Sequence, residues 1–393
     1  MRKPILLILV IALFGATRLI AQRGSGNSVV LVPDSTVQHP VDVGVRAHTN
    51  HLIFYNPHFK STSPSGETPQ SIDPVYALTF TGTGGSGVIA IVDAYDYPTA
   101  ENDLNVFSSQ FSLPPCTTAN GCLTKVYASA TKPRTNCGWS QEAALDIEWA
   151  HAMAPNAKII LVEAKTNSFT NLFAAVDVAT KAVQSGGGDG EVSMSWGGSE
   201  FSSEAGYDYH FQPTSGNIVY FAASGDTGGA TIYPSASPYV VGAGGTTINR
   251  SKTGSFVSET GWSGSGGGPS KYEAKPSYQS GIPNTSSTQR SVPDFSFDAD
   301  PASGVSVYDS TSCKGLSGWL VFGGTSVASP SLSGIVNRAG HFYGVSELPT
   351  IYTNYTDSSD FRDILSGTAG SYSAGPGYDF VTGVGTNQGL RGK

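Results

Sequence analysis

Charge is scarce in this chain of 393 residues: Asp, Glu, Lys and Arg together make up 13% of it, about half the usual share for a soluble protein. The formal charge is −8 and no long basic run accompanies it, which argues against nucleic acid as a partner. With so few ion pairs to form, little stability can rest on ionised carboxylates, and tolerance of acid follows. Cysteine is limited to Cys116, Cys122, Cys137 and Cys313. The first two bracket a short loop and are expected to pair, leaving Cys137 for Cys313, with the other two connectivities still open. Beyond the N-terminus no apolar run is long enough to span a bilayer.

What the chain does have is glycine, 48 residues of it, and a start that reads as a secretory signal over residues 1–21. Arg2 and Lys3 supply the positive end, Ile5 to Phe14 the apolar core, and Leu19-Ile20-Ala21 a cleavage site. The apolar stretch is too short for a comfortable span, so a retained anchor is the lesser alternative. The expectation is a secreted protein, extracellular or periplasmic, with no membrane attachment once the signal is removed. Export also permits disulfides. Residues 22–67 carry Pro33, Pro40, Pro57 and Pro64 with His39, His48, His51 and His58. They read as an irregular leader or propeptide remnant, since these histidines lack tight metal-ligand spacing. Residues 68–393 form the main domain.

In that domain Val88-Ile89-Ala90-Ile91-Val92 is a continuous apolar run, as in a buried parallel strand. It ends in Asp93. Similar runs lie at Ile159 to Val162, Val192 to Ser195, Ile218 to Ala222 and Tyr239 to Val241, with helical patterns at Gln141 to Met153 and Leu172 to Val183. Alternation of this kind predicts a doubly wound α/β sheet with its site at the carboxyl ends of the strands. The glycine-rich stretch Gly261 to Gly268 reads as a surface loop.

Three places could carry chemistry. Gly323-Gly324-Thr325-Ser326 precedes an apolar helical pattern, and Pro330 is expected in that helix's first turn. Ser326 would then sit at a helix N-terminus, where free N–H groups favour developing negative charge. A plain N-cap is the bland reading of such a motif taken alone. Glu142 and Asp146 stand four apart on one helix face; if buried, they would share protons and one would act as a base in acid. Asp226, after Ser224-Gly225, would point into the cleft, an Asx-turn being the plainer alternative.

Glu142-x-x-x-Asp146, Ser224-Gly225-Asp226 and Gly324-Thr325-Ser326-x-x-x-Pro330, in this order, resemble the sedolisins, the serine-carboxyl peptidases. Tyr233-Pro234-Ser235-Ala236-Ser237-Pro238-Tyr239, Gly244-Gly245-Thr246, Gly266-Gly267-Gly268-x-Ser270 and Val292-Pro293-Asp294 with Ala299-Asp300-Pro301 agree. The resemblance covers about residues 68 to 390. It implies a subtilisin-like parallel sheet flanked by helices on both faces, and an acid-active endopeptidase working through an acyl-enzyme on protein or peptide substrates, as a monomer. Ser326 would be the nucleophile, Glu142 its base, Asp146 the group that orients Glu142, and Asp226 the oxyanion donor. Asp93 would extend the carboxylate network, with Trp196 joining it. The backbone of Ser195, Trp196 and Gly197 would pair with an extended substrate.

The resemblance also implies one structural Ca2+, held by Asp363 and Asp379 with the carbonyls of Ile364, Gly375 and Gly377. Two departures stand out. The loop from Leu365 to Ala374 is short, and the stretch before residue 68 is far smaller than a separately folded propeptide, which puts autocatalytic maturation in question. A Ser-His-Asp arrangement on Asp93 and Ser326 lacks a histidine opening a helix after a Gly-rich turn. A secreted binding module or inactive pseudo-peptidase, built on the abundant Tyr, Gly and Ser, is the reading from a different class.

Overall fold

The computed structural model describes residues 28–57, 61–79, 84–129 and 131–393. The expected signal over residues 1–21 and His58 lie outside the described residues. Its centre is the predicted parallel sheet. The strands run in the order Leu123–Tyr127, Lys158–Ala164, Val88–Ala94, Asp189–Met194, Asn217–Ala223, Val240–Arg250, Phe295–Asp298 and Thr386–Asn387, every neighbouring pair parallel. Antiparallel strands Phe361–Arg362 and Phe256–Gly261 attach at one side. All seven residues of Val88–Ala94 are buried, which is why the sequence there is an unbroken apolar run rather than an alternating one.

Helices cover both faces. Cys137–Met153 and Thr325–Ala339 share one core with Ala100–Gln110, and Phe169–Ser185 closes the other face with Phe169, Leu172, Phe173 and Val176. Cys137–Met153 is buried along nearly its whole length. It therefore shows no amphipathic stripe, as a helix within a large core should not. It begins four residues before the apolar pattern, where the Asn136 side chain accepts from Gly138 N and Trp139 N. The disulfide Cys137–Cys313 ties this helix start to the strand Val305–Cys313, and Cys116–Cys122 closes the short loop. Among the described residues no helix is long and apolar enough to cross a membrane.

Two expectations are corrected. Residues 22–67 are not irregular where described: Val29–Leu31, His48–Thr49 and Leu52–Tyr55 are strands built into the body. Leu52–Tyr55 lies between Val29–Leu31 and Leu316–Gly323, and His48–Thr49 pairs with Trp196–Ser199. The prolines that suggested irregularity sit between these strands (Pro33, Pro40) or after them (Pro57, Pro64), where their missing N–H breaks no ladder. The stretch Gly261 to Gly268 is also not a simple surface loop, because Ser265, Gly266, Gly267 and Gly268 are buried. A Cβ on Gly266 would fall 2.0 Å from the Ser224 carbonyl oxygen. The glycines are there to let this loop press against the turn that carries Asp226.

Candidate active site

At the carboxyl edge of the sheet the chain brings together Asp93, Glu142, Asp146, Ser195, Asp226 and Ser326. The turn into Thr325–Ala339 is made by Gly324 at φ 96°, a left-handed conformation that favours glycine. Ser326 is the helix's second residue, and its backbone N–H points out of the helix start. Pro330 is not in the first turn as expected but is the sixth helical residue. Its missing N–H would have bonded the Ser326 carbonyl, four residues back. That freed carbonyl instead faces the Ser195 hydroxyl at 3.3 Å. The departure from the rule thus falls at the site itself.

Asp226 accepts the Thr325 N–H (2.8 Å) and hydroxyl (2.9 Å) on Oδ1. Its Oδ2 is shut off from solvent and has no hydrogen-bond partner among the described residues. Burial pushes this carboxyl up to about 8, against the Thr325 hydrogen bonds and with the help of nearby Glu142. Below that pH it is an acid, with a proton to donate. A Cβ on Gly324 would lie 2.5 Å from Asp226 Oδ2 and 2.2 Å from the Asn50 carbonyl oxygen. Both oxygens therefore crowd the face that the glycine leaves open.

Glu142 and Asp146 are fully buried, which meets the condition for shared protons. Asp146 Oδ1 accepts the Ser195 hydroxyl at 2.7 Å. Burial, then Asp93 and Glu142, raise Asp146 well above the ordinary carboxylate range. Asp93 is raised in the same way by burial, Glu142 and Glu163, and neither of its oxygens has a hydrogen-bond partner among the described residues. Proton sharing among these carboxylates is the physical consequence.

The sequence-expected contacts are only partly made. The Ser326 hydroxyl donates to the Ser195 carbonyl at 3.1 Å. The base expected to receive that proton, Glu142, is engaged instead by the His51 ring, Nδ1 to Oε2 at 2.7 Å. Asp146 reaches Ser195 rather than Glu142. The Trp196 indole N–H goes to the Val92 carbonyl at 2.7 Å and not to a carboxylate, so Trp196 is a wall of the site and no member of the acidic network. The edge Trp196–Ser199, where Ser195, Trp196 and Gly197 were expected to pair with an extended substrate, pairs in this structure with His48–Thr49 of the same chain. Asn50 N–H continues that pairing to the Ser195 carbonyl at 3.2 Å, and Ser326 N–H donates to the Asn50 carbonyl at 2.9 Å.

Sequence reasoning missed Ser195 as a side chain, His51 and Asn50 as occupants, and Glu163. The last had a signal: Asp93 and Glu163 each stand just before an alanine at the end of an apolar run, and their strands pair them directly. Burial pushes Glu163 up to about 7 although Tyr97 N and Lys125 bind it.

Of Asp363, Ile364, Gly375, Gly377 and Asp379, the two aspartates and two glycines are linked near the C-terminus. Gly377 N–H donates to Asp363 Oδ2 at 3.0 Å and Gly375 N–H to Asp379 Oδ2 at 3.2 Å. Asp379 is buried and Asp363 exposed. Carboxylates and carbonyls are the oxygen donors a hard cation takes, so the residues fit calcium in kind.

A parallel sheet flanked by helices, with a serine at a helix start and buried carboxylates at the sheet's carboxyl edge, defines a subtilisin-like α/β fold. No protein-family model matches the chain. It is 30% identical over 370 residues to kumamolisin of Bacillus sp. (strain MN-32), a match spanning 84% of this chain and 64% of that protein. It is 27% identical over 416 residues to xanthomonalisin of Xanthomonas sp. (strain T-22), spanning 86% and 48%. Sedolisin of Pseudomonas sp. (strain 101) is 33% identical over 181 residues, 39% of this chain and 28% of that protein. These similarities support the resemblance to the sedolisin family. The chain spans less than two thirds of the length of these curated relatives. Among solved structures, Pseudomonas sedolisin, a serine-carboxyl proteinase complexed with two molecules of pseudo-iodotyrostatin, superposes with a TM-score of 0.68 at 23% identity, covering 83% of this chain and 96% of that one. Sphericase superposes at 0.55 with 19% identity, covering 84% and 99%.

Proposed function

We propose that this chain is a secreted, acid-active serine-carboxyl endopeptidase that hydrolyses peptide bonds through an acyl-enzyme. The observation that carries the reading is a peptide carbonyl, that of Asn50, resting on Ser326 N–H with the Ser326 hydroxyl oxygen 3.1 Å from the same residue's nitrogen. In the reaction Ser326 Oγ adds to the substrate carbonyl carbon and Glu142 takes its proton. The negative oxygen is held by Ser326 N–H and by the acid form of Asp226, whose Oδ2 faces the same open side of Gly324. Asp146 shares protons with Glu142 and is itself fixed by Ser195. The amine leaves with the proton from Glu142, and water hydrolyses the ester. A carboxylate suffices as base because the site works in acid, where a protonated Asp226 donates and an ionised one would repel.

Digestion of a peptide library between about pH 3 and 5 tests this. Cleavage is expected from the native protein and not from Ser326→Ala or Glu142→Ala; equal cleavage by either variant would remove the assignment.

One structural Ca2+ belongs to the same proposal. Asp363, Asp379 and the carbonyls of Ile364, Gly375 and Gly377 would hold it, supplying rigidity and no step of the reaction. Asp379 Oδ1 fixes Val381 N and Thr382 N, the Val381 carbonyl accepts from Ser265, and Gly266 N–H bonds Gly225 beside Asp226. The turn is thereby connected to the oxyanion side of the site.

A further inference from the structure

Toward the C-terminal end of the helix that carries Glu142 and Asp146, two sulfurs and an imidazole meet. Cys116 and Cys122 close a short loop by their disulfide, and His151 stands in the last turn of Cys137–Met153. A ring nitrogen of His151 and the two Sγ atoms all lie within 4.8 Å of one another. His151 is fully buried, with Nε2 bonded to the Pro114 carbonyl at 2.9 Å. That carbonyl can only accept, so Nε2 carries the proton and Nδ1 keeps a lone pair. Nδ1 is shut off from solvent and has no hydrogen-bond partner among the described residues. Such a buried acceptor is costly to keep, and the peptidase chemistry makes no use of it. Burial also holds the ring down to about 4, against the pull of Pro114, so it is neutral at ordinary pH.

We propose that Cys116, Cys122 and His151 form a latent site for a divalent cation of the zinc type, masked by the disulfide and opened by its reduction. Two electrons from a thiol or phosphine reductant break the sulfur–sulfur bond, the reductant is oxidised, and each sulfur takes up one proton. The cation then displaces both protons and binds the two thiolates, and His151 Nδ1 adds its lone pair. Water takes the fourth position on the side of Cys122, which is half-buried. Two thiolates, one neutral imidazole and one open place are a set that zinc accepts. Calcium and magnesium, which take oxygen donors, should be refused. The inference stands apart from the peptidase reading and from the calcium turn.

Hydrogen bonds hold the loop in shape independently of the disulfide. Asn120 Oδ1 accepts Thr117 N–H (3.1 Å) and Cys122 N–H (3.0 Å), and its amide donates to the Pro115 carbonyl at 2.8 Å. Glu101, on the helix Ala100–Gln110, accepts the Thr118 N–H and hydroxyl. Leu123 N–H returns to the Thr117 carbonyl, and Ile159 N–H to that of Cys122. The two thiols would therefore stay side by side after reduction. A tetrahedral zinc ion holds such donors about 3.5–3.8 Å apart, which is within their reach once no bond joins two of them. The Nε2 bond to Pro114 would then serve as the outer hydrogen bond of a metal-bound histidine, fixing the tautomer and the ring's orientation. The cation would replace the disulfide as the closure of the same loop.

The test reduces the full chain with a phosphine, removes the reductant and titrates Co2+ as a coloured stand-in for Zn2+. The expected result is one ion per chain, with a thiolate-to-cobalt band in the near ultraviolet, the intense visible bands of a four-coordinate ion, and release of about two protons per ion. The oxidised chain should give none of these. Zn2+ should bleach the colour. It should also shield Cys116 and Cys122 from alkylation while Cys137 and Cys313 still react, as read by peptide mass spectrometry. That arm uses the native chain and depends on no variant folding. Cys116→Ser combined with Cys122→Ser should abolish binding. His151→Asn should weaken it by at least the roughly 10–100-fold that loss of an outer partner costs. Unweakened binding by His151→Asn would overturn the place of the histidine in the site. Shielding of Cys137 and Cys313 instead, or equal alkylation of all four thiols with and without Zn2+, would overturn the site itself.

Discussion

Asp226 is the residue whose two protonation states should have opposite effects. Burial holds it up to about 8, so its acid form prevails in acid and is lost as pH rises toward that value. Activity should fall along the same limb, while the need for an ionised base among the buried carboxylates sets the opposite limit. The two limbs describe the coupled carboxylates together rather than single residues. Asp226→Ala should cost on the order of 10²–10³ in turnover, the usual loss for an oxyanion donor. Asp226→Asn, whose amide donates at every pH, should retain more activity than the Ala variant and carry its alkaline limb upward; an unmoved limb would show that this proton does not confine the enzyme to acid. Ser195 is the residue the sequence hid. Its hydroxyl lies 2.7 Å from Asp146 Oδ1, and losing it would leave a buried acceptor unsatisfied, at a cost of about 1–3 kcal/mol. Ser195→Ala should therefore lower kcat roughly tenfold or more with little change in KM, whereas a merely structural role would lower the melting temperature instead.

At the scale of elements, the parallel strands were legible because burial on both faces leaves an unbroken apolar run, as in Val88–Ala94. The helix Thr325–Ala339 was legible from its apolar spacing, but not its register. Pro330 points to a helix start by rule, and here tertiary contact with Ser195 accommodates it in the second turn. The leader strands were illegible for a different reason. His48–Thr49 and Leu52–Tyr55 are too short to show alternation, and the strands of the main domain that they join, Trp196–Ser199 and Leu316–Gly323, lie well over a hundred residues away. The order of Glu142, Asp146, Asp226 and Ser326 pointed to the site; what occupies it could be read only from three-dimensional pairing. Two outcomes belong here. Gly324→Ala would place a Cβ 2.2 Å from Asn50 O at φ 96°, so it should lower the melting temperature and remove activity together. At the C-terminal turn, a chelator at mildly acid pH should lower the melting temperature by mass action, and Asp379→Ala should reproduce that loss. An unchanged melting curve with no metal by elemental analysis would contradict the calcium proposal.

For the whole molecule, the low charge content has a thermodynamic consequence. Burial raises Glu204 to about 9, Glu273 and Glu347 to about 8, and Asp309 to about 7, besides Asp226 and Glu163. Their ordinary values are 3.8 for Asp and 4.5 for Glu. Between about pH 4 and 8 the folded state thus binds more protons than the unfolded one, so stability falls as pH rises through that window. His151, lowered to about 4 by burial, and His48, lowered chiefly by its own burial, work in the other direction below their ordinary value, two groups against many. The melting temperature should be several degrees higher at pH 5 than at pH 8, and a higher value at pH 8 would contradict this account of the buried carboxylates. The central claim is chemical, however: a serine at a helix start, served by carboxylates, cuts peptide bonds. Its most direct measurement is hydrolysis of a fluorogenic peptide at about pH 4 by native protein and by Ser326→Ala, each preincubated in acid, with their melting curves compared. The account predicts steady turnover by the native chain, a loss on the order of 10⁴ or more in the variant, and closely matching melting temperatures. Comparable turnover by Ser326→Ala would contradict it.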